Sequence, residues 1–125
     1  MKDGMQFKFK LDNSDVMVRK QNCDKIKQQY PDKIPIICEK DPKAKINNID
    51  KTKYLVPNDL NVGQFSFMIR KRLQLPETEA FFLLAKGKYS ITAEMSLIDV
   101  YKKYCDSEDG FLYIAYASKE IWGNN

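Results

Sequence analysis

An α+β fold is predicted for this chain, on three observations. Apolar runs of strand length occur at residues 33–40, 53–56, 80–85 and 111–117. Two intervening segments, 61–73 and 96–104, carry apolar residues at helical spacing behind a polar residue suited to capping. The first 30 residues are polar and basic, with one loosely spaced apolar face made of Val16, Cys23 and Ile26.

That face predicts one or two short helices before Tyr30-Pro31, because a residue preceding proline avoids the α region. Residues 33–40, KIPIICEK, form a β-rich run between Pro31 and Asp41-Pro42, and Pro35 suggests a strand start or an edge. Residues 53–56 make a second strand closed by Pro57, and an antiparallel pair of the two is the first expectation. Asn61 and Gln64 have capping-box spacing and open a helix that ends by Pro76, with Gly63 a small penalty in its first turn. Residues 80–85 read as a strand, Lys86-Gly87-Lys88 as a turn and 89–91 as a short returning strand. Ser96 begins a helix to Tyr104. The last strand, 111–117, is apolar throughout and should be central in its sheet. A hairpin, one long helix and a later central strand describe the β-grasp, or ubiquitin-like, arrangement, which by pattern alone stands beside other α+β topologies.

The 61–73 helix is too apolar for one buried face. At about 100° per residue, Val62, Ser66, Ile69 and Leu73 share a narrow arc that suits a core stripe. Phe65 and Met68 lie progressively to one side of it, which favours their exposure, and Phe67 points nearly opposite. Lys51, Lys53, Arg70, Lys71 and Arg72 surround this surplus. An apolar patch with a basic rim is what a peptide-binding surface needs.

Composition narrows the function. With 125 residues, 43% hydrophobic and 30% charged, the chain fits one soluble globular domain. A net charge of +4 suits acidic peptides or anionic membrane surfaces and is too dispersed to argue for nucleic acid. Cys23, Cys38 and Cys105 lack C-x-x-C spacing, which argues against a zinc site or a disulfide framework and fits a reducing cytosol. Cys38 reads as a core residue. The absence of histidine removes Ser-His and Cys-His nucleophile pairs and the commonest metal ligand. Carboxylate pairs such as Glu77/Glu79 and Glu108/Asp109 look like loop and capping residues, so an enzyme is the weakest reading. Residues 1–10 have no hydrophobic targeting core. The longest apolar run has seven residues, against about 20 needed to span a bilayer.

Specific blocks then appear: Tyr30-Pro31-Asp32 with Ile34-Pro35, Ile37-Cys38-Glu39-Lys40, Lys53-Tyr54-Leu55-Val56-Pro57, Asp59-Leu60, Val62-Gly63-Gln64-Phe65, Ile69-Arg70-Lys71-Arg72 and Phe111-Leu112-Tyr113-Ile114, with an aromatic-glycine pair near the end. In these the chain resembles the autophagy ubiquitin-like modifiers, the family of autophagy-related protein eight, GABARAP and light chain 3, over residues from about 20 to 123. The resemblance implies a ubiquitin-like β-grasp with two additional N-terminal helices. It divides the chain into a helical extension (1–30), a core (31–123) and a removable tail (124–125).

It also implies a modifier that needs no cofactor or metal. A processing cysteine protease would cut between Gly123 and Asn124. Activating and conjugating enzymes would then join Gly123 to phosphatidylethanolamine on an autophagosome or other organelle membrane, from a cytoplasmic pool of monomers. Glycine suits a chain end that must thread a narrow cleft. The resemblance further implies receptors with aromatic-x-x-aliphatic motifs that add a strand beside the second strand. By position the aromatic pocket maps to Ile26, Pro35, Lys53, Leu55 and Phe111. The aliphatic pocket maps to Tyr54, Val56, Pro57, Leu60, Phe65 and Met68. Lys51, Lys53 and Arg72 would meet acidic flanks. Leu55 and Val56 alternate on a strand and cannot share a side.

The chain departs from the family at several places. Its N-terminal segment is longer and keeps only Arg19-Lys20 of a Pro-Phe-Glu-Lys-Arg run. Asn22 replaces a common acidic residue, GKYSITAE replaces a Pro-Pro loop, and Trp122 stands before Gly123 where Phe or Tyr is usual. An unconjugated ubiquitin-like adaptor in vesicle traffic is the alternative.

Overall fold

The computed structural model describes residues 5–118; Trp122, Gly123 and the tail lie outside them. The elements in chain order are α1 (Lys8–Asp12), α2 (Val16–Gln29), β1 (Lys33–Lys40), β2 (Lys53–Pro57), α3 (Val62–Leu73), β3 (Phe81–Ala85), β4 (Tyr89–Ile91), α4 (Leu97–Tyr104) and β5 (Leu112–Ser118). They form one five-stranded sheet in the order β2-β1-β5-β3-β4. β1 pairs antiparallel with β2 and parallel with β5, and β3 pairs antiparallel with both β5 and β4. This is the ubiquitin-like arrangement, with α1 and α2 preceding it.

Period-two alternation divides the sheet between two cores. Ile34, Ile36, Cys38, Tyr54, Val56, Leu83, Leu112, Ile114 and Tyr116 face α3 and α4. Ile37, Leu84, Tyr113 and Ala115 face the other way, where Phe7 and Cys23 join the core and Phe9 and Ile26 pack against it. β5 is buried along its whole length because helices cover both of its faces, as its unbroken apolar run predicts.

Local chemistry explains the boundaries. Asp15 caps α2 through Met17 and Val18 N–H, and the reciprocal Asn61–Gln64 box caps α3. α3 stops at Leu73 because Gln74 turns left-handed and its N–H reaches the Arg70 and Lys71 carbonyls. The Arg70 guanidinium then donates to the carbonyls of Pro76, Glu77 and Glu79. Lys86 and Gly87 both take positive φ, as the tight β3–β4 hairpin requires. All three cysteines are free thiols, and burial pushes Cys23 up to about 11 and Cys38 higher still.

One expectation about α3 is corrected. Phe65 was expected at the surface but is fully buried, at 0% exposure. The buried stripe is Val62, Phe65, Ile69 and Leu73, with Ser66 half-buried. The helix is thus rolled toward Phe65 relative to the expected arc, which had Ser66 at its far edge. Enclosing a phenyl ring removes far more apolar area from water than enclosing a serine. Tyr54 meets the Phe65 ring edge-on at 5.8 Å. Met68 and Phe67 are outward as expected, 39% and 62% exposed.

Candidate functional site

β2 is an edge strand: β1 flanks one side, and among the described residues no strand flanks the other. Its alternation puts Tyr54 and Val56 on the α3 face and Lys53 and Leu55 on the α2 face. β1 supplies Pro35 opposite Leu55 and Ile37 opposite Lys53. The two expected pockets therefore lie on opposite faces of the sheet, separated by the open backbone edge of β2.

On the α2 face, Ile26, Pro35, Lys53, Leu55 and Phe111 share one side. Pro35 and Phe111 are buried, Leu55 and Ile26 half-buried, and only Lys53 is exposed. Phe111 has 0% exposure. Its ring is met edge-on by Phe9 of α1 at 5.3 Å. The Lys53 ammonium lies 5.7 Å from the Phe111 ring and 5.9 Å from the Phe9 ring, within cation–π range of both.

On the α3 face, Tyr54, Val56 and Phe65 are buried in the main core and form a floor. Met68 is exposed on α3, and Leu60 is half-buried against this core. The expected set is therefore divided: Tyr54, Val56 and Phe65 lie inside, Leu60 and Met68 reach the surface, and Pro57, the exposed last residue of β2, alternates with Lys53 and Leu55 and not with Tyr54 and Val56. Lys51 is exposed and sits 5.2 Å from the Tyr54 ring, whose hydroxyl donates to the Lys51 carbonyl. Arg72 is engaged by Asp50 at 2.7 Å, and that hydrogen bond holds the Asp50 carboxyl below its ordinary range. An acidic ligand residue would have to compete with Asp50 for Arg72.

Two features were not read from the sequence. The Glu39 carboxylate accepts from the Lys8 and Phe9 backbone N–H groups, at 2.7 and 2.9 Å, and fixes the start of α1. Buried Arg19 donates to Asp109 at 2.8 Å, and Asp109 also accepts from the Tyr113 hydroxyl and the Phe111 N–H. The Phe7-x-Phe9 spacing in an otherwise polar leader was the available signal for the first. Both connections span 30 or more positions along the chain, which no local pattern encodes.

Among the described residues no cluster of His, Cys, Asp or Glu could hold a metal ion, and no helix is long and apolar enough to cross a membrane. What the arrangement offers chemically is an unpaired strand edge with apolar groups on both sides and lysines beside it. It belongs to a ubiquitin-like domain whose sheet is open along one edge.

The comparisons make this specific. The family described as "Autophagy protein Atg8 ubiquitin like" matches residues 18–123, and the chain belongs to that family. Autophagy-related protein 8e of Arabidopsis thaliana is 46% identical over 115 residues, covering 92% of each chain. Autophagy-related protein 8 of Coccidioides immitis is 44% identical over 120 residues, covering 96% of this chain and all of that one. The crystal structure of Trypanosoma brucei ATG8 superposes with a TM-score of 0.85 at 36% identity, covering 92% of this chain and 97% of that one. The protein is therefore a ubiquitin-like protein of autophagy and not an enzyme.

Proposed function

We propose that this chain is a lipid-conjugated modifier that gathers receptors onto autophagosomal membranes. In this reading a cysteine protease hydrolyses the Gly123–Asn124 peptide bond and releases the segment that begins at Asn124. The new Gly123 carboxylate is adenylated by ATP with release of pyrophosphate, an enzyme cysteine displaces AMP to give a thioester, and the acyl group passes between enzyme cysteines to the amine of phosphatidylethanolamine. An amide bond forms and a thiol leaves. Two acyl chains then anchor the protein, where one would hold it only marginally. Residues 31–123 act as the working core and 1–30 as the helical extension.

The observation that carries the recognition half is the pair of apolar sets on opposite faces of the β2 edge. Side chains alternate along a strand, so residues three apart point to opposite faces. A ligand strand lying on β2 would thus direct its aromatic residue toward Ile26, Pro35, Leu55 and Phe111. Its aliphatic residue, three positions on, would go toward Leu60 and Met68 over the Tyr54, Val56 and Phe65 floor. Lys51 and Lys53 are available to acidic flanks. The family match running to residue 123 supports the conjugation half.

The test is intact mass spectrometry of wild type and Gly123→Ala recovered from autophagy-induced cells. Wild type should lack residues 124–125 and carry a phospholipid in the membrane fraction, whereas Gly123→Ala should carry none and remain off membranes. Membrane association that survives in Gly123→Ala would favour the unconjugated adaptor instead.

A further inference from the structure

The aromatic side of the β2 edge already holds an aromatic ring, and the ring comes from this chain. Phe9 sits edge-on to Phe111 at 5.3 Å and shares the Lys53 ammonium with it, at 5.9 against 5.7 Å. Phe111 is left with no exposed surface. A ligand aromatic seated on Phe111 and beneath Lys53 would need the contacts that Phe9 now makes.

The element carrying Phe9 is lightly held. α1 has five residues, far fewer than the roughly 12–15 at which an isolated helix becomes even marginally stable. None of its residues is fully buried, and Leu11 is 60% exposed. Its attachments are polar and ring-edge contacts around Glu39, Asp106 and Tyr113: Glu39 accepts from the Lys8 and Phe9 N–H groups, Lys10 pairs with Asp106 and lies 4.8 Å from the Tyr113 ring, and the preceding Phe7 packs on Tyr113 at 5.1 Å. A short segment tied by a few contacts is the kind that opens locally at low cost.

We propose that Phe9 is an internal placeholder for the aromatic anchor of a bound peptide, and that α1 is a lid the ligand displaces. The proposal rests on the peptide-binding reading above and concerns the regulation of that same site. Binding exchanges one ring for another on Phe111, while α1 is released from Glu39. The apparent dissociation constant is the intrinsic one divided by the open fraction, so the lid weakens every ligand that needs the aromatic side. A ligand whose aromatic replaces Phe9 recovers the Phe111 and Lys53 contacts, and one without an aromatic does not. The lid therefore also sharpens selection.

The experiment titrates a fluorescein-labelled synthetic peptide, acidic-flanked Trp-x-x-Leu, against full-length wild type, Phe9→Ala and Glu39→Gln. Phe9→Ala removes the placeholder. Glu39→Gln leaves every residue of the two pockets intact and weakens the tether, because an amide accepts through one oxygen where the carboxylate uses two. Both variants should bind about threefold to tenfold tighter than wild type, the range expected for releasing one aromatic pair. In wild type, the NMR cross-peak between the Phe9 and Phe111 rings should vanish at saturation. Unchanged or weaker binding in both variants, or a Phe9–Phe111 cross-peak that persists in the saturated complex, would overturn the lid while leaving peptide recognition standing. Absence of binding by wild type and both variants would overturn recognition and lid together.

Discussion

Removing the Phe65 ring empties an enclosed site between Tyr54 and the α3-facing core, where nothing but a large collapse would refill the space. Phe65→Ala should therefore cost about 3–5 kcal/mol, read as a lower urea midpoint at unchanged slope. A charge at 65, which outward placement would have allowed, costs more still because it would be buried without a partner. Met68 is where the proposed binding role can be tested apart from folding. It is 39% exposed on α3. Met68→Asp should leave stability within about 0.5 kcal/mol and weaken an aromatic-x-x-aliphatic peptide roughly tenfold, as loss of an apolar anchor does. Fluorescence titration beside urea denaturation checks both halves; parallel losses of stability and affinity would put Met68 in the core.

At the scale of elements, α2 is held to the loop before β5 by one buried charge network. Arg19 and Asp109 are both almost fully enclosed, and Arg19 also donates to the Asn13 carbonyl at the α1–α2 junction. Arg19→Ala leaves the Asp109 carboxylate buried with only neutral donors, and should destabilise the domain by about 3–5 kcal/mol. Adding Asp109→Asn removes the stranded charge and should recover part of that loss, a coupling that a double-mutant cycle in urea measures. The sequence was legible where structure is local. β1 and β4 start and stop where their flanking prolines and turn residues say, and the Asn61–Gln64 box opens α3. The roll of α3 was not legible, because it is decided by which neighbour, Phe65 or Ser66, fills the space beside Tyr54. A second short N-terminal helix was expected, but the bounds of α1 were not legible: it spans five residues and is held by Glu39 from 30 positions away. Which of the residues expected around β2 are buried and which reach the surface needed the sheet and the roll of α3.

For the whole molecule, the decisive fact is a sheet covered by helices on both faces and left open along β2. α1 and α2 back one side and α3 backs the other, so apolar ligand groups have somewhere to go on each side of that edge. A peptide on the edge keeps its backbone in register with β2, and the period of two then fixes which of its side chains reach which face. Anchors three positions apart fall on opposite faces; anchors two or four apart fall on the same one. Moving the aliphatic residue from the third position to the second or the fourth therefore strands one anchor in water, although composition and charge are unchanged. The lost anchor should lower affinity at least tenfold for both shifted peptides, on the scale of one buried hot-spot side chain. Peptides with all three spacings, titrated against the same preparation, provide the measurement. Equal affinities across the series would mean that ligands do not lie along β2 as a strand.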